Sequence, residues 1–380
     1  MIMLPGQSRR TVLKTVLALG AGPALAGCSL FEPVTQFDAI VSRSGDAASG
    51  VPRYPTVSAA VDAAPSGGAK PFRILVGKGR WRERVVIDKP FVHLTGMGRD
   101  GSVIVNDRYA GTPGADGKPV GTFDTATITV RAPDFSARDL TIANDFDYLA
   151  HIPPPVAEDK TGRSGSQAVA LAIEAAADRS FLEHVRLTGY QDTLFTDAGR
   201  SLFRFCLIEG CVDFIFGAGR AVFERCDIRS RLRPGQDIQG FVAAPDTDVK
   251  QPYGLVFRAC RLLKDEGVAP HSIALGRPWR RTHTFADGRY GDPDNVGAAA
   301  YLRCWMDDHI IPEGWVGMGY NAKGGGRAML MPEEARLYEF ESSGPGAGPA
   351  SSKRRQLTTD QAYAYADIDV LAGWTPAATD

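Results

Sequence analysis

A short pattern recurs along the chain at intervals near twenty residues. Each copy has a large apolar residue, a cysteine or a substitute three positions later, and an aliphatic residue or methionine two positions after that. The copies begin at Phe135, Leu182, Phe203, Phe223, Phe257 and Tyr301. Those at 182, 203 and 223 are 21 and 20 residues apart, too short for a propeller blade and close to one coil of a parallel β-helix. The repeat favours such a solenoid; the alternative is a β-sandwich with coincidental spacing.

Secondary-structure patterns agree with an all-β chain. Brief runs rich in Val, Ile, Phe and Thr are separated by Gly, Asp, Asn and Pro clusters, which predicts strands and turns. One exception, "PTVSAAVDAAP" at 55–65, has apolar residues at helical spacing between two prolines. We therefore expect a single domain over residues 37–380, a parallel β-helix with a short capping helix near its N-terminal end.

The N-terminal segment has the features of an export signal. Arg9 and Arg10 precede an apolar stretch over 11–26, and the stretch ends in "LAGC" at 25–28. We interpret residues 1–27 as a twin-arginine-like signal and 28–36 as a linker. Because "LAGC" matches a bacterial lipobox, we expect lipidation of Cys28, membrane contact only through that anchor, and a location on the periplasmic side, as an outer-membrane lipoprotein or secreted. The alternative is a simple cleaved signal whose cysteine is incidental.

The net charge and the spacing of cysteines and histidines limit which binding partners, metals and cofactors the chain can have. The net charge of -1 provides no basic surface for nucleic acid. Apart from Cys28, five cysteines remain, and neither they nor the six histidines show metal-site spacing, so we predict no metal and no cofactor. In a solenoid, Cys206 and Cys226 would lie on successive coils, about 4.8 Å apart. That separation permits a disulfide.

Two acids stand in apolar surroundings one repeat period apart. Asp192 in "GYQDTLF" and Asp213 in "GCVDFIFG" are separated by 21 residues, which places them on neighbouring coils of one face. Two adjacent carboxylates titrate as a unit, so one can remain protonated while the other is ionised. Such a pair supplies a nucleophile and a general acid at one pH. The alternative for each isolated Asp is a hydrogen-bonded carboxylate at a turn or strand end.

Four ordered segments resemble the signature blocks of the pectin methylesterases. They are "QAVAL" at 167–171, "YQDTLF" at 190–195, "VDFIFG" at 212–217 and "LGRPW" at 275–279, with weaker similarity extending from about residue 37 to "DDHIIPEGW" at 307–315. The resemblance implies a right-handed parallel β-helix whose long loops form a cleft. We expect the Pro- and Gly-rich segment at 147–166 to form one wall of it.

The resemblance also implies roles for individual residues. Asp213 would be the nucleophile, Asp192 the general acid and then base, and Arg277 the residue that orients Asp213. The side-chain amides of Gln191 and Gln167 would donate to the oxyanion. The residues implied to contact substrate are Trp279, Phe195, Phe216, Thr122 and Arg233. Family members resembling this chain carry a disulfide at the positions of Cys206 and Cys226.

The implied activity is hydrolysis of galacturonate methyl esters in homogalacturonan to pectate and methanol, through an acyl-enzyme on Asp213. We expect a monomer that needs no cofactor. Three alternatives remain: an esterase or thioesterase redirected to other esters, a non-catalytic carbohydrate-binding surface lipoprotein, and a polysaccharide lyase, which would require a calcium-binding acidic cluster and a basic proton acceptor. Cys211 replaces the usual Thr before "VDFIFG", and "QAVALAI" lacks an Arg common in plant members, which leaves fine substrate preference open.

Overall fold

A computed structural model of the chain describes residues 37–43, 50–151 and 165–376. They belong to one compact unit over residues 36–380. The expected export signal at 1–27, the linker at 28–36 with Cys28, and residues 152–164 of the expected cleft wall lie outside the described residues. Within the described ranges, no helix has the length and apolar character needed to cross a membrane.

Three parallel sheets, here named A, B and C, contain most of the strands. Sheet A consists of β1 (Ala39–Val41), β2 (Arg53–Tyr54), β3 (Phe72–Val76), β6 (Val92–Thr95), β9 (Ser136–Arg138), β12 (Ser180–Glu183), β15 (Arg200–Arg204), β18 (Arg220–Glu224), β21 (Leu255–Arg258), β26 (Ala298–Leu302) and β30 (Arg336–Phe340). Sheet B consists of β4 (Gly79–Arg82), β7 (Ser102–Asn106), β10 (Thr141–Asn144), β13 (Arg186–Thr188), β16 (Leu207–Gly210), β19 (Asp227–Ser230), β22 (Arg261–Lys264) and β27 (Trp305–Met306). Sheet C consists of β5 (Val85–Ile87), β8 (Ile128–Val130), β11 (Leu171–Ile173), β14 (Leu194–Thr196), β17 (Val212–Gly217), β20 (Gly240–Pro245) and β23 (Ile273–Gly276).

The remaining elements are short. Two antiparallel hairpins pair β24 (Thr282–Phe285) with β25 (Gly288–Gly291) and β28 (Met318–Asn321) with β29 (Arg327–Leu330). The α-helices of the described residues are α1 (Val57–Asp62), α2 (Tyr148–His151), α3 (Thr359–Tyr363) and α4 (Asp367–Val370), and 3-10 turns span Thr122–Asp124 and Pro332–Glu334.

Equivalent residues of the sequence repeat pair with each other across neighbouring strands of sheet A. Leu182 pairs with Phe203, Phe203 with Phe223, Phe223 with Phe257, and Phe257 with Tyr301. The four aromatic rings stack inside the solenoid with centroids 4.8, 4.7 and 4.3 Å apart. Equivalent residues therefore form a continuous buried ladder, and the predicted parallel β-helix is confirmed.

A single left-handed residue turns each of these coils from sheet A into sheet B. The φ angles of His184, Phe205, Arg225, Ala259 and Arg303 all lie between 50° and 53°. The next residue in four of these coils is Cys206, Cys226, Cys260 or Cys304, and all four are buried. Because the same left-handed conformation recurs just before each cysteine, the four cysteines stack in a second buried ladder.

The expected Cys206–Cys226 disulfide is wrong in this structure, where both are free thiols. Each sulfur of the ladder lies near a backbone carbonyl of the preceding coil. Sγ of Cys226 donates to the Phe203 carbonyl at 3.4 Å, and Sγ of Cys260 to the Phe223 carbonyl at 3.1 Å. The spacing between coils permits the bond, and in this structure the thiols lie against backbone carbonyls without forming it.

The predicted short helix is present as α1, which packs against β1, β2, β3 and β5 at the first coils. The Thr56 side chain caps it by accepting a hydrogen bond from the Ala59 N–H at 3.1 Å. Val57, Ala60 and Val61 are buried by the helix. The apolar spacing read from the sequence is thus the core-facing side.

Candidate active site

Asp192 and Asp213 occupy equivalent positions on neighbouring coils. Leu194 of β14 pairs with Ile215 of β17, and each aspartate lies two residues before its member of that pair. The Asp192 N–H donates to the Val212 carbonyl at 3.0 Å, which ties the two turns together. The coil spacing inferred from the sequence therefore brings the two acids onto one face.

Both aspartates have left-handed backbone, with φ of 64° at Asp192 and 48° at Asp213. Asp tolerates this conformation better than most residues because its short polar side chain can hydrogen-bond locally. At Asp213 the register of β17 against β20 also shifts between Val212 and Ile215. Such an irregularity re-aims a side chain, and here Phe214 turns into the core.

A glycine makes that arrangement fit. A Cβ built on Gly210 would lie 2.2 Å from Cβ of Phe214 and 2.8 Å from Oγ1 of Thr193. No side chain can be placed at that distance, so Gly210 lets Phe214 fill the core directly beneath the Asp213 turn.

Arg277 reaches Asp213 across one intervening coil. It follows β23, and its N–H donates to the Ala243 carbonyl of β20 at 2.9 Å. Its guanidinium lies 3.9 Å from the ring centroid of Phe241 and donates from Nε to Oδ1 of Asp213 at 2.9 Å and from Nη2 to Oδ2 at 2.6 Å. A bidentate contact of this kind fixes the carboxylate in both position and orientation.

The acids differ in their surroundings. Burial raises the pKa of Asp192 well above the usual aspartate range, the Asp213 charge raises it further, and Arg277 partly opposes both. For Arg277, burial acts to lower the pKa, but attraction to Asp213 and their hydrogen bonds outweigh it and raise it. Arg277 therefore stays charged and paired with Asp213, while the surroundings of Asp192 favour its protonated form.

The two predicted amide donors are on the same face. Gln191 directly precedes Asp192 and forms a parallel bridge with Val212. Gln167 lies one coil earlier, next to Ala168, whose N–H donates to the Gln191 carbonyl at 3.1 Å. Both side chains are half-buried. Their placement beside the aspartates is suitable for donation to a bound ester.

The three predicted sugar-binding aromatics form one cluster on the outer face of sheet C. Phe195 and Phe216 are register partners with centroids 4.8 Å apart, and Trp279 lies 6.0 Å from Phe216. Phe195 and Phe216 are only 4% and 3% exposed, so they support the cluster from beneath. Trp279 is half-buried and presents the accessible ring surface.

The other two predicted contacts lie apart from each other. Thr122 is half-buried and begins the 3-10 turn at Thr122–Asp124. Arg233 lies with Tyr148 and Cys211, where burial raises the pKa of the Cys211 thiol to about 12 while Arg233 opposes that rise. Tyr148 stacks on Tyr190 at 5.1 Å, and both pack with Cys211 and Val212, the two residues before Asp213.

Sequence reasoning missed Phe123, Phe241 and Arg281. Phe123 is 49% exposed and its ring lies 4.9 Å from Phe195, so it extends the platform of Trp279. Phe241 supports Arg277, as described above. Arg281 lies between the aromatics and two acids. Its only sequence signal is its position two residues after Trp279 in "RPWRRTHTF".

The described residues contain one group with three potential metal ligands, Asp307, Asp308 and His309, whose ligand atoms lie within 4.8 Å of one another. The group follows β27, and Asp308 already pairs with the Lys264 ammonium. It belongs to a different segment from the paired aspartates.

Comparison with known proteins identifies the family. The pectinesterase family model matches residues 39–356. The chain belongs to the pectinesterase family. It is 40% identical over 371 residues to Pectinesterase A from Dickeya dadantii (strain 3937), covering 96% of this chain and 99% of that protein.

Solved pectinesterase structures share the fold. Pectin methylesterase PemA from Erwinia chrysanthemi matches with a TM-score of 0.83 and 41% identity, over 90% of this chain and 98% of that one. A crystal structure of a pectin methylesterase in complex with a hexasaccharide matches with the same TM-score, identity and coverage. Membership in this family agrees with the resemblance carried by the four sequence blocks.

Proposed function

We propose that this pectinesterase hydrolyses methyl esters of galacturonate in pectin, with Asp213 as nucleophile and Asp192 as general acid and base. The observation that carries the assignment is the bidentate Asp213–Arg277 ion pair next to a buried Asp192 whose pKa is raised. One ionised and one protonated carboxyl group on a single face are what a two-step ester hydrolysis requires.

In the first step, a carboxylate oxygen of Asp213 attacks the ester carbonyl carbon and forms a tetrahedral oxyanion. Collapse of that intermediate breaks the bond to the methoxy oxygen, and the Asp192 proton passes to the leaving group to give methanol. The product on the enzyme is an acyl anhydride with Asp213. Arg277 keeps Asp213 in position by using one lone pair on each carboxylate oxygen, and the second lone pair of each oxygen stays free to react.

In the second step, Asp192, now ionised, removes a proton from water as the water oxygen attacks the galacturonyl carbonyl. The anhydride bond breaks with the Asp213 carboxylate as the leaving group, and Asp213 returns to its ion pair with Arg277. The product leaves as a galacturonic acid whose carboxyl group then gives its proton to water, and Asp192 is again protonated. Both steps pass through an oxyanion at the same place. The amides of Gln191 and Gln167 are the proposed donors, and one such donor is typically worth about 3 kcal/mol.

The decisive test is methanol release from highly methylated pectin by the purified protein. Asp213→Asn should reduce kcat by at least about 10³-fold, because the amide is no longer a nucleophile. Asp227→Asn is the matched control, since Asp227 also holds a bidentate contact, 2.7 and 2.7 Å, with an arginine of the next coil, Arg261, away from the aspartates. No methanol from the wild type, or equal losses in both variants, would contradict the assignment.

We also propose export, with lipidation at Cys28 and a monomeric mature chain on the periplasmic side, as an outer-membrane lipoprotein or secreted. The support is the sequence itself, Arg9 and Arg10 followed by an apolar stretch and "LAGC". Mass analysis of the mature N terminus should find an acylated Cys28 and no residue before it, and light scattering should give the mass of one chain. An intact N terminus or a dimer mass would reject the corresponding claim.

A further inference from the structure

Phe123, Phe195, Phe216 and Trp279 are here named the aromatic platform. Arg281 connects this platform to two acidic residues at the ends of sheet C strands. Nη1 of Arg281 donates to Oδ1 of Asp197, the residue after β14, at 2.6 Å. Nε lies 2.7 Å from Oδ2 of Asp246, the residue after β20. The side chain is 20% exposed, whereas that of Asp246 is 1% exposed. The guanidinium therefore spans two strands from the cleft side.

The same guanidinium lies against three rings of the platform. Its central carbon is 4.8 Å from the ring of Trp279, 5.4 Å from Phe195 and 5.7 Å from Phe123. A cation within about 6 Å of an aromatic centroid is attracted to the face of the ring, more strongly where water is excluded. Trp279 and Phe123 are the two rings with accessible surface, and Arg281 contacts both.

The acids hold Arg281 firmly in this place. Among the residues that the structure describes, Arg281 is the arginine or lysine in ion-pair contact with the Asp246 carboxylate, so the charge of that carboxylate depends on this contact. Burial raises the pKa of Asp246 to about 6, against the opposing attraction of Arg281. A buried carboxylate with one cationic partner fixes that partner in turn, because separating them would leave the charge uncompensated.

We propose that Arg281 is a positioning residue for substrate binding, held by Asp197 and Asp246 so that it keeps Trp279 and Phe123 in the arrangement that receives a sugar ring. The proposal rests on the function proposed above. Arg281 acts through the rings and not on the ester, so its loss weakens substrate binding while the Asp213–Arg277 chemistry continues.

The test compares steady-state kinetics on methylated pectin. Arg281→Met retains the length and apolar contacts of the side chain but removes its charge and its planar guanidinium. We expect KM to rise about tenfold while kcat changes less than about twofold. A tenfold change in KM corresponds to about 1.4 kcal/mol in binding. Arg281→Lys keeps the charge, so its KM should lie between those of wild type and Arg281→Met. Arg204→Met is the matched control, because Arg204 also lies over a ring, Phe181 at 5.6 Å, and pairs with an acid, Glu224 at 2.7 Å, on sheet A. Its KM should equal that of wild type.

A second variant separates positioning from folding. The single variant Arg281→Met leaves the buried Asp246 carboxylate unpaired, which by itself destabilises the protein. The double variant, Arg281→Met with Asp246→Asn, removes that unpaired charge. The double variant should regain thermal stability but keep the raised KM. If KM returns to the wild-type value together with stability, or if kcat falls instead of KM rising, the positioning role is rejected. Absence of methanol release by the wild type would reject the proposed function instead.

Discussion

At the scale of single residues, the site depends on unequal environments for two identical side chains. Asp192 and Asp213 share a coil position and a left-handed backbone, but only Asp213 is hydrogen-bonded to Arg277. Asp192 is 9% exposed, and burial with the neighbouring negative charge raises its pKa. The proposed division of labour between nucleophile and acid thus rests on which carboxylate the guanidinium reaches.

Asp192→Asn should change stability in a pH-dependent way. A raised folded-state pKa means that the Asp192 contribution to stability is complete below the unfolded value, about 3.9, and is lost as pH rises through the folded pKa. Asn stays neutral throughout, so the melting temperature of the variant relative to wild type should increase as pH rises above about 4. Calorimetry across the pH range measures this, and a constant difference would contradict the raised pKa.

The same substitution should remove general acid catalysis. We expect kcat for methanol release to fall by about 10²–10⁴-fold at pH values below the Asp192 pKa, where the wild type has its proton donor. In the wild type, kcat should decrease as pH rises through the Asp192 pKa in the enzyme–substrate complex, because the leaving group then lacks its proton donor. A wild-type profile with no alkaline decrease would argue against Asp192 as the acid.

At the scale of elements, the turn between sheets A and B is the repeated unit. It places one left-handed residue before each cysteine, and the residue type there varies from His to Phe, Arg and Ala. A non-glycine residue in this region is destabilised by about 1–2 kcal/mol, and glycine is not. The turn is therefore set by the stacking of the coils around it, against local preference.

Ala259→Gly should stabilise the protein. Ala259 is exposed with φ of 50°, so its methyl group contributes strain and little packing. Relief of that strain exceeds the extra entropy of glycine in the unfolded chain, and the expected gain is about 0.5–1 kcal/mol. Ala364→Gly is the control, because Ala364 is also exposed but has an ordinary φ of -66°. This substitution should destabilise the protein. Thermal melting distinguishes the two, and parallel changes would contradict the strain.

The cysteine ladder makes a separate prediction about thiols. Alkylation of the denatured, unreduced protein should label Cys206 and Cys226 as fully as Cys260 and Cys304, since all are free. A sample reduced beforehand should give the same peptide masses. A linked 206–226 peptide that appears only without reduction would show that the bond forms.

At the scale of the whole molecule, the C-terminal segment covers the outer face of sheet A. Val370 and Leu371 pack with Val222, Val256 and Leu302, which alternate with the inward ladder residues of the same strands. Without this cover, several coils would expose an apolar stripe to water. The end of the chain therefore stabilises coils far from it in sequence.

Leu371→Ala should lower the melting temperature without affecting KM. Leu371 is 1% exposed, and truncating a buried leucine typically costs about 2–5 kcal/mol. Ile368→Ala is the control on the same segment, because Ile368 is 53% exposed and loses little contact. Equal effects of the two substitutions would show that the segment is not docked as described.

The sequence by itself determined the repeating coil of the β-helix. The spacing of Leu182, Phe203 and Phe223 predicted the ladder, and the 21-residue offset of Asp192 and Asp213 predicted their adjacency, because a solenoid repeats one local conformation and stacks it in register. The apolar spacing within 55–65 likewise gave α1. These features are local, and local periodicity is preserved when the coils stack.

Only the tertiary structure decided contacts that cross coils at an angle. Arg277 reaches Asp213 over 64 positions of sequence, and Arg281 joins Asp197 to Asp246; neither pairing has a periodic signal. The burial of Phe195 and Phe216 was likewise set by packing around each side chain. Spacing fixes which residues are neighbours, but the orientation of a side chain depends on every group that surrounds it.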